Sequence, residues 1–106
     1  MKQIGDAWNE RLACQVTKQL LEALSALHSK KIAHRNVTIY NIVVKSYSAQ
    51  SIDVELAGFS QAIEILEPIT EDSICLDSYK APEMTAAIPY DTQVDMWMLA
   101  CCTFCM

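Results

Sequence analysis

Between His34 and Asn41 the chain reads HRNVTIYN. That stretch gathers an imidazole, a guanidinium, two hydroxyls and two carboxamides. Such groups hydrogen-bond, orient and counter charge. The amides of Asn36 and Asn41 are poorly suited to removing a proton, because they carry no negative charge and no useful basicity. His34 reads as a satisfied core histidine. Cys101 and Cys105 stand i, i+4 and could share a helical face. A metal there would need two further ligands, and no nearby His supplies one, so buried thiols are the better reading. Asp53 and Glu55 alternate along one short segment and read as a solvated face rather than a working carboxylate pair. Glu64, Glu67, Glu71, Asp72 and Asp77 make the following stretch acidic. A solvated loop is preferred there over a docking strip for a basic partner. His28 is expected exposed or half-buried, and no role is assigned to it.

The totals narrow the classes. A chain of 106 residues is at most one domain, and its 52% hydrophobic content suffices for a core. Two Gly and three Pro argue against a disordered or collagen-like chain. A net charge of −5 leaves no basic footprint, so nucleic acid is not expected as a partner. The N-terminus MKQIGDAWNE has no apolar signal segment, and no apolar run is long enough for a membrane span. Five Cys without a signal peptide suggest reduced thiols, hence a cytoplasmic or nuclear location.

The elements that must position these groups follow from periodicity. Trp8, Leu12, Val16, Leu20, Leu24 and Leu27 recur at helical steps and predict one helix over residues 7–29. Asp6 is its candidate N-cap, and Lys30 and Lys31 suit its C-terminal end. IVVKS and SIDVELAGF, separated by the polar YSAQ, predict a β-hairpin over about 42–57. Residues 58–80 show no sustained period and read as a long irregular loop of the kind that is often functional. APEMTAA predicts a short helical turn with Pro82 at its first position. Residues 92–106 are apolar on every side and predict a buried helix. The fold class is mainly α with a small β-hairpin.

This order of elements and motifs resembles the C-terminal lobe of the eukaryotic protein kinases, and the resemblance covers essentially the whole chain. The family's H-R-D, with an Asn further on in the same loop, is matched by His34, Arg35 and Asn41, with Asn36 in the Asp position. Gly58-Phe59-Ser60 occupies the place of D-F-G. Ala81-Pro82-Glu83 keeps A-P-E intact, preceded by Tyr79, and Asp95-Met96-Trp97 matches the Asp-x-Trp that opens the central helix. The resemblance implies a stack of His34 and Phe59 and an Asp95 carboxylate holding the His34-Arg35 backbone. It also implies an Arg35 that meets a phosphate or carboxylate on the activation segment, and a Glu83 paired with an Arg from a later helix that this chain does not contain. Thr70 and Ser73 lie where active relatives are phosphorylated. Phosphate there would join several acids, so an ordering switch is the weaker reading unless Arg35 offsets the charge.

Measured against the family, four working positions have changed. Asn36 replaces the catalytic Asp, and Gly58 replaces the metal-binding Asp. Thr38 replaces the catalytic-loop Lys, and Leu76 replaces the Thr of the substrate-facing loop. Asn41 remains as a vestigial cofactor contact, a poor site for a hard cation when alone. Kinases act chiefly by positioning and by neutralising charge, so these losses imply an inactive, pseudokinase-like domain with a protein-binding or scaffolding role. The alternative is a serine/threonine kinase whose full-length parent keeps weak ATP-dependent phosphotransfer. No metal is expected, and ATP with Mg²⁺ only if that parent retains a nucleotide site in its N-terminal lobe. Residues 1–106 are accordingly expected to be a partial kinase-like domain, without the N-terminal lobe and the last helices. Exposure of the apolar final helix would then favour self-association.

Overall fold

The computed structural model describes residues 10–70 and 77–105. Helix α1 spans Glu10–Ser29. Its buried residues, Leu12, Val16, Leu20 and Leu24, fall at i, i+4 steps, so one stripe enters the core while the charged residues stay outside. The helix start expected at residue 7, with Asp6 and Trp8, lies outside the described residues. At the other end Lys30 N donates to Leu27 O and Lys31 N to His28 O, both at 3.0 Å. These tightened bonds satisfy carbonyls of the last turn. Lys31 then turns the chain with φ of 63°.

Strands β1 (Ile32–Ala33), β2 (Ile42–Tyr47), β3 (Ile52–Leu56) and β4 (Ile63–Glu64) form two antiparallel pairs. The β2–β3 hairpin sits where it is expected. Ile52, Val54 and Leu56 are buried, while Asp53 and Glu55 between them face out, as the period of two requires. Its ladder shifts between Val44 and Ser46, where Lys45 is the extra residue. The turn is fixed by Ser48, whose Oγ accepts from Gln50 N and Ser51 N at 3.2 Å each.

Among the described residues no strand meets the other edge of β3. Gln15 and Gln19, one helical turn apart on α1, fill that role with their side-chain amides. Gln15 Nε2 donates to Gln50 O at 3.0 Å while its Oε1 accepts from Ile52 N at 2.9 Å. Gln19 repeats the pattern, giving to Ile52 O at 2.7 Å and accepting from Val54 N at 2.8 Å.

The segment after the hairpin is more regular than its sequence suggests. β4 pairs with β1, Ile32 opposite Glu64 and Ala33 opposite Ile63. Ile65 N donates to Lys31 O at 2.7 Å, and Ile69 and Tyr90 exchange backbone bonds at 2.9 and 2.7 Å. Short 3₁₀ turns occupy Phe59–Gln61 and Asp77–Tyr79. Two-residue strands carry too few side chains to display a period, which is why the expectation of an irregular loop over 58–80 has to be corrected. Ser73 and Leu76 lie outside the described residues.

Helix α2 (Pro82–Thr85) starts with Pro at its first position, where the missing N–H costs no bond. Helix α3 spans Val94–Cys105. Val94, Asp95, Met98, Leu99 and Cys102 enter the core. The expectation of a helix buried all round fails within this chain: Met96, Trp97 and Phe104 are 42%, 46% and 93% exposed, because nothing among the described residues packs on that side. Among the described residues no helix is long and apolar enough to cross a membrane.

Candidate functional site

The loop from His34 to Asn41 is built around a single buried carboxylate. Asp95, fully buried at the start of α3, accepts from His34 N through Oδ2 and from Arg35 N through Oδ1, both at 2.8 Å. Oδ2 also lies 2.9 Å from His28 Nε2. A buried charge needs several donors, and the loop backbone supplies two of them.

The same grip sets the His34 ring. Its Nε2 is 2.8 Å from Ala57 O, so this nitrogen carries the proton and donates. Nδ1 is then a lone pair, and Asn36 N donates to it at 3.1 Å. Burial holds the imidazole below its ordinary 6.5, against the opposing pull of the Ala57 carbonyl and the Asp95 charge, so the ring is neutral. Phe59 meets it edge to face, with centroids 4.8 Å apart and planes at 65°. Phe59 is otherwise half exposed.

Arg35 adopts φ of 69°, a left-handed backbone uncommon for a residue with a side chain. Its guanidinium is buried. Nε donates to Gln61 O at 2.6 Å and Nη1 to the Tyr90 hydroxyl at 3.2 Å. The side chain thus braces the loop against the Phe59–Gln61 turn and the segment before α3.

Asn36, Thr38, Asn41 and Gly58 converge beside this frame. Asn41 N donates to Thr38 O at 3.0 Å, and Asn41 O accepts from Ala57 N at 2.7 Å. The Asn41 side chain donates through Nδ2 to Asn36 O at 2.8 Å. Thr38 is buried. Gly58 turns the chain at φ 74°, ψ 49°, with its bare Cα facing the Asn41 amide. These four side chains offer amide, hydroxyl and hydrogen, and no carboxylate. Among the described residues no group of three His, Cys, Asp or Glu side chains is placed to hold a metal ion.

The remaining candidates lie elsewhere. Ala81 is buried and Glu83 half-buried. Glu83 lines a shallow cavity of about 260 Å³ with Pro68, Pro89, Tyr90, Asp91 and Gln93. Trp97 faces outward, away from the Asp95 cluster. Thr70 is exposed. The Cys101 thiol lies 3.8 Å from Ser78 O, and the Cys105 side chain is outside the described residues.

Sequence reasoning missed His28, Gln61 and Tyr90. His28 had a legible signal: it continues the Leu12, Val16, Leu20, Leu24 stripe by another i+4 step and so faces inward. Gln61 takes part through its backbone carbonyl, which no side-chain pattern can reveal.

A family model described as a protein kinase domain matches residues 2–106. The chain is 32% identical over 100 residues to serine/threonine-protein kinase Nek6 of Oryza sativa subsp. japonica, covering 94% of the chain and 18% of that protein. It is 33% identical over 98 residues to serine/threonine-protein kinase Nek3 of the same plant, covering 92% and 16%. Serine/threonine-protein kinase fused of Drosophila melanogaster is 35% identical over 100 residues, covering 92% and 12%. The chain thus spans less than a fifth of the length of each of these relatives.

Proposed function

Since this chain belongs to the protein kinase domain family, we propose that it supplies C-terminal-lobe elements of such a domain in a catalytically silent, pseudokinase-like form whose role is to bind other proteins. The order of elements supports the lobe assignment. It runs from α1 through the His34–Asn41 loop, the β2–β3 hairpin and Gly58-Phe59-Ser60 to Ala81-Pro82-Glu83 and Asp95-Met96-Trp97.

One observation carries the silence. Where phosphoryl transfer needs carboxylates, positions 36 and 58 carry an amide and a bare Cα, and the Asn41 amide is already bonded to the Asn36 carbonyl. Mg²⁺ demands hard oxygen ligands in near-octahedral array, usually including a carboxylate, and this donor set does not fit it. Loss of a positioned base alone costs about 10²–10⁴ in rate. Changes within one catalytic unit do not multiply. The packing parts, by contrast, are bonded: His34 to Ala57 and Asn36, Arg35 to Gln61 and Tyr90, Asp95 to the loop backbone. ATP and Mg²⁺ are ligands only for a longer product that carries a nucleotide site beyond these residues.

The test is transfer of labelled phosphate from ATP to a generic protein acceptor, with Mg²⁺ or Mn²⁺. It is run on this chain and on any longer product that contains it. No transfer above a mock preparation is expected. Transfer that disappears in Asn41→Ala would show a rearranged, working metal site and overturn the proposal.

A further inference from the structure

Gly58 is constrained twice. Its φ of 74° is a conformation that L side chains rarely adopt. Its free side is also occupied. A Cβ built there falls far inside van der Waals contact of Asn41 Oδ1 and Cγ, and 2.6 Å from Nδ2. The whole carboxamide of Asn41 therefore lies across the place where a side chain at position 58 would begin. That carboxamide is not free to swing away without loss, because Nδ2 donates to Asn36 O at 2.8 Å. Two hydrogen bonds hold the segments at this separation: Ala57 N donates to Asn41 O at 2.7 Å and the His34 ring to Ala57 O at 2.8 Å.

We propose that Asn41 is a plug: its side chain fills the space beside Gly58 and is tied back to the Asn36 carbonyl, so that the site is closed to a divalent cation rather than merely short of ligands. This rests on the reading of the site as silent and deepens it. Asn41 is then a positioning residue, and Gly58 is required because Asn41 stands where it does. A carboxylate restored at position 58 would collide with the plug before it met an ion.

The two positions should be thermodynamically coupled, which a double-mutant cycle measures. Gly58→Ala, Asn41→Ala and the double variant are unfolded with denaturant. Left-handed strain at residue 58 burdens the alanine in both backgrounds, whereas the collision burdens it only while Asn41 is present. Gly58→Ala is expected to lower the folding equilibrium constant about tenfold more in the wild-type background than in Asn41→Ala. Equal losses in the two backgrounds overturn the plug. Should Gly58→Ala alone fail to fold, a folded double variant is the expected rescue, and failure of the double variant overturns the proposal.

Titration with Mn²⁺, followed by broadening of side-chain amide resonances, supplies the second readout. No selective broadening of Asn41 is expected. Broadening centred on Asn41 overturns the plug and the silent reading together, whereas an uncoupled cycle without broadening overturns the plug alone.

Discussion

Asp95 shows how much one side chain can hold. Its carboxylate is buried and is matched by two backbone N–H groups and the His28 ring. Asp95→Ala would strand both amides in the core, at a cost of about 1–3 kcal/mol each. A loss of about 2–5 kcal/mol in denaturant unfolding is therefore expected, and a change under about 0.5 kcal/mol would contradict the arrangement. His34 makes a second residue-scale prediction. Burial lowers its proton affinity in the folded chain below the ordinary 6.5 of the unfolded one. Below pH 6.5 the unfolded state thus binds more protons, so the His34 contribution to stability is complete above 6.5 and is lost as pH falls toward the folded value. Protonation would also turn Nδ1 from acceptor to donor, against Asn36 N. Unfolding midpoints compared between neutral pH and about pH 5 should fall more for the wild type than for His34→Asn. Identical slopes would show that the imidazole does not titrate through this window.

Among the elements, the hairpin depends on α1 for more than apolar contact. Gln15 and Gln19 present carboxamides at the spacing of a neighbouring strand, so Ile52 N, Ile52 O and Val54 N of β3 find their partners on a helix. Gln19→Leu keeps the bulk but removes the partners of Ile52 O and Val54 N. A loss of about 1–3 kcal/mol and faster hydrogen exchange at the Val54 amide are expected; unchanged exchange there would mean that the clamp does not hold. These amides also mark the limit of what the sequence discloses. The stripe of Leu12, Val16, Leu20 and Leu24 and the alternation in IDVEL are repeated signals, and both elements stand where those signals put them. β1 and β4 are two residues long, and nothing repeats in them. Gln15 and Gln19 look like ordinary surface polar residues until the partner strand is known. The motif letters around the site were legible because residue identity alone distinguishes Asn36 and Gly58 from acids. The contact between Asn41 and Gly58 was not, because it depends on a backbone turn and on a side-chain direction.

On the scale of the whole molecule, apolar surface is left unmatched. The chain measures 42 × 26 × 20 Å with a radius of gyration of 14.1 Å. About 13 Å would suit a compact domain of this length. Met96, Trp97 and Phe104 open onto the outside of α3, and contiguous apolar patches of that kind favour association. Sedimentation is expected to show mass rising with concentration, and Trp97→Arg with Phe104→Glu should suppress the rise while leaving the helix content unchanged. A single monomeric species over the whole concentration range would refute this. The Asp95 grip has a temporal corollary as well. Its bonds to His34 and Arg35 bridge 61 and 60 positions of chain. A polypeptide emerging from the ribosome cannot set the turn at residues 34–35 until the segment bearing residue 95 has been translated and docked. Nascent chains halted before that point should expose the turn to protease, and completed chains should shield it.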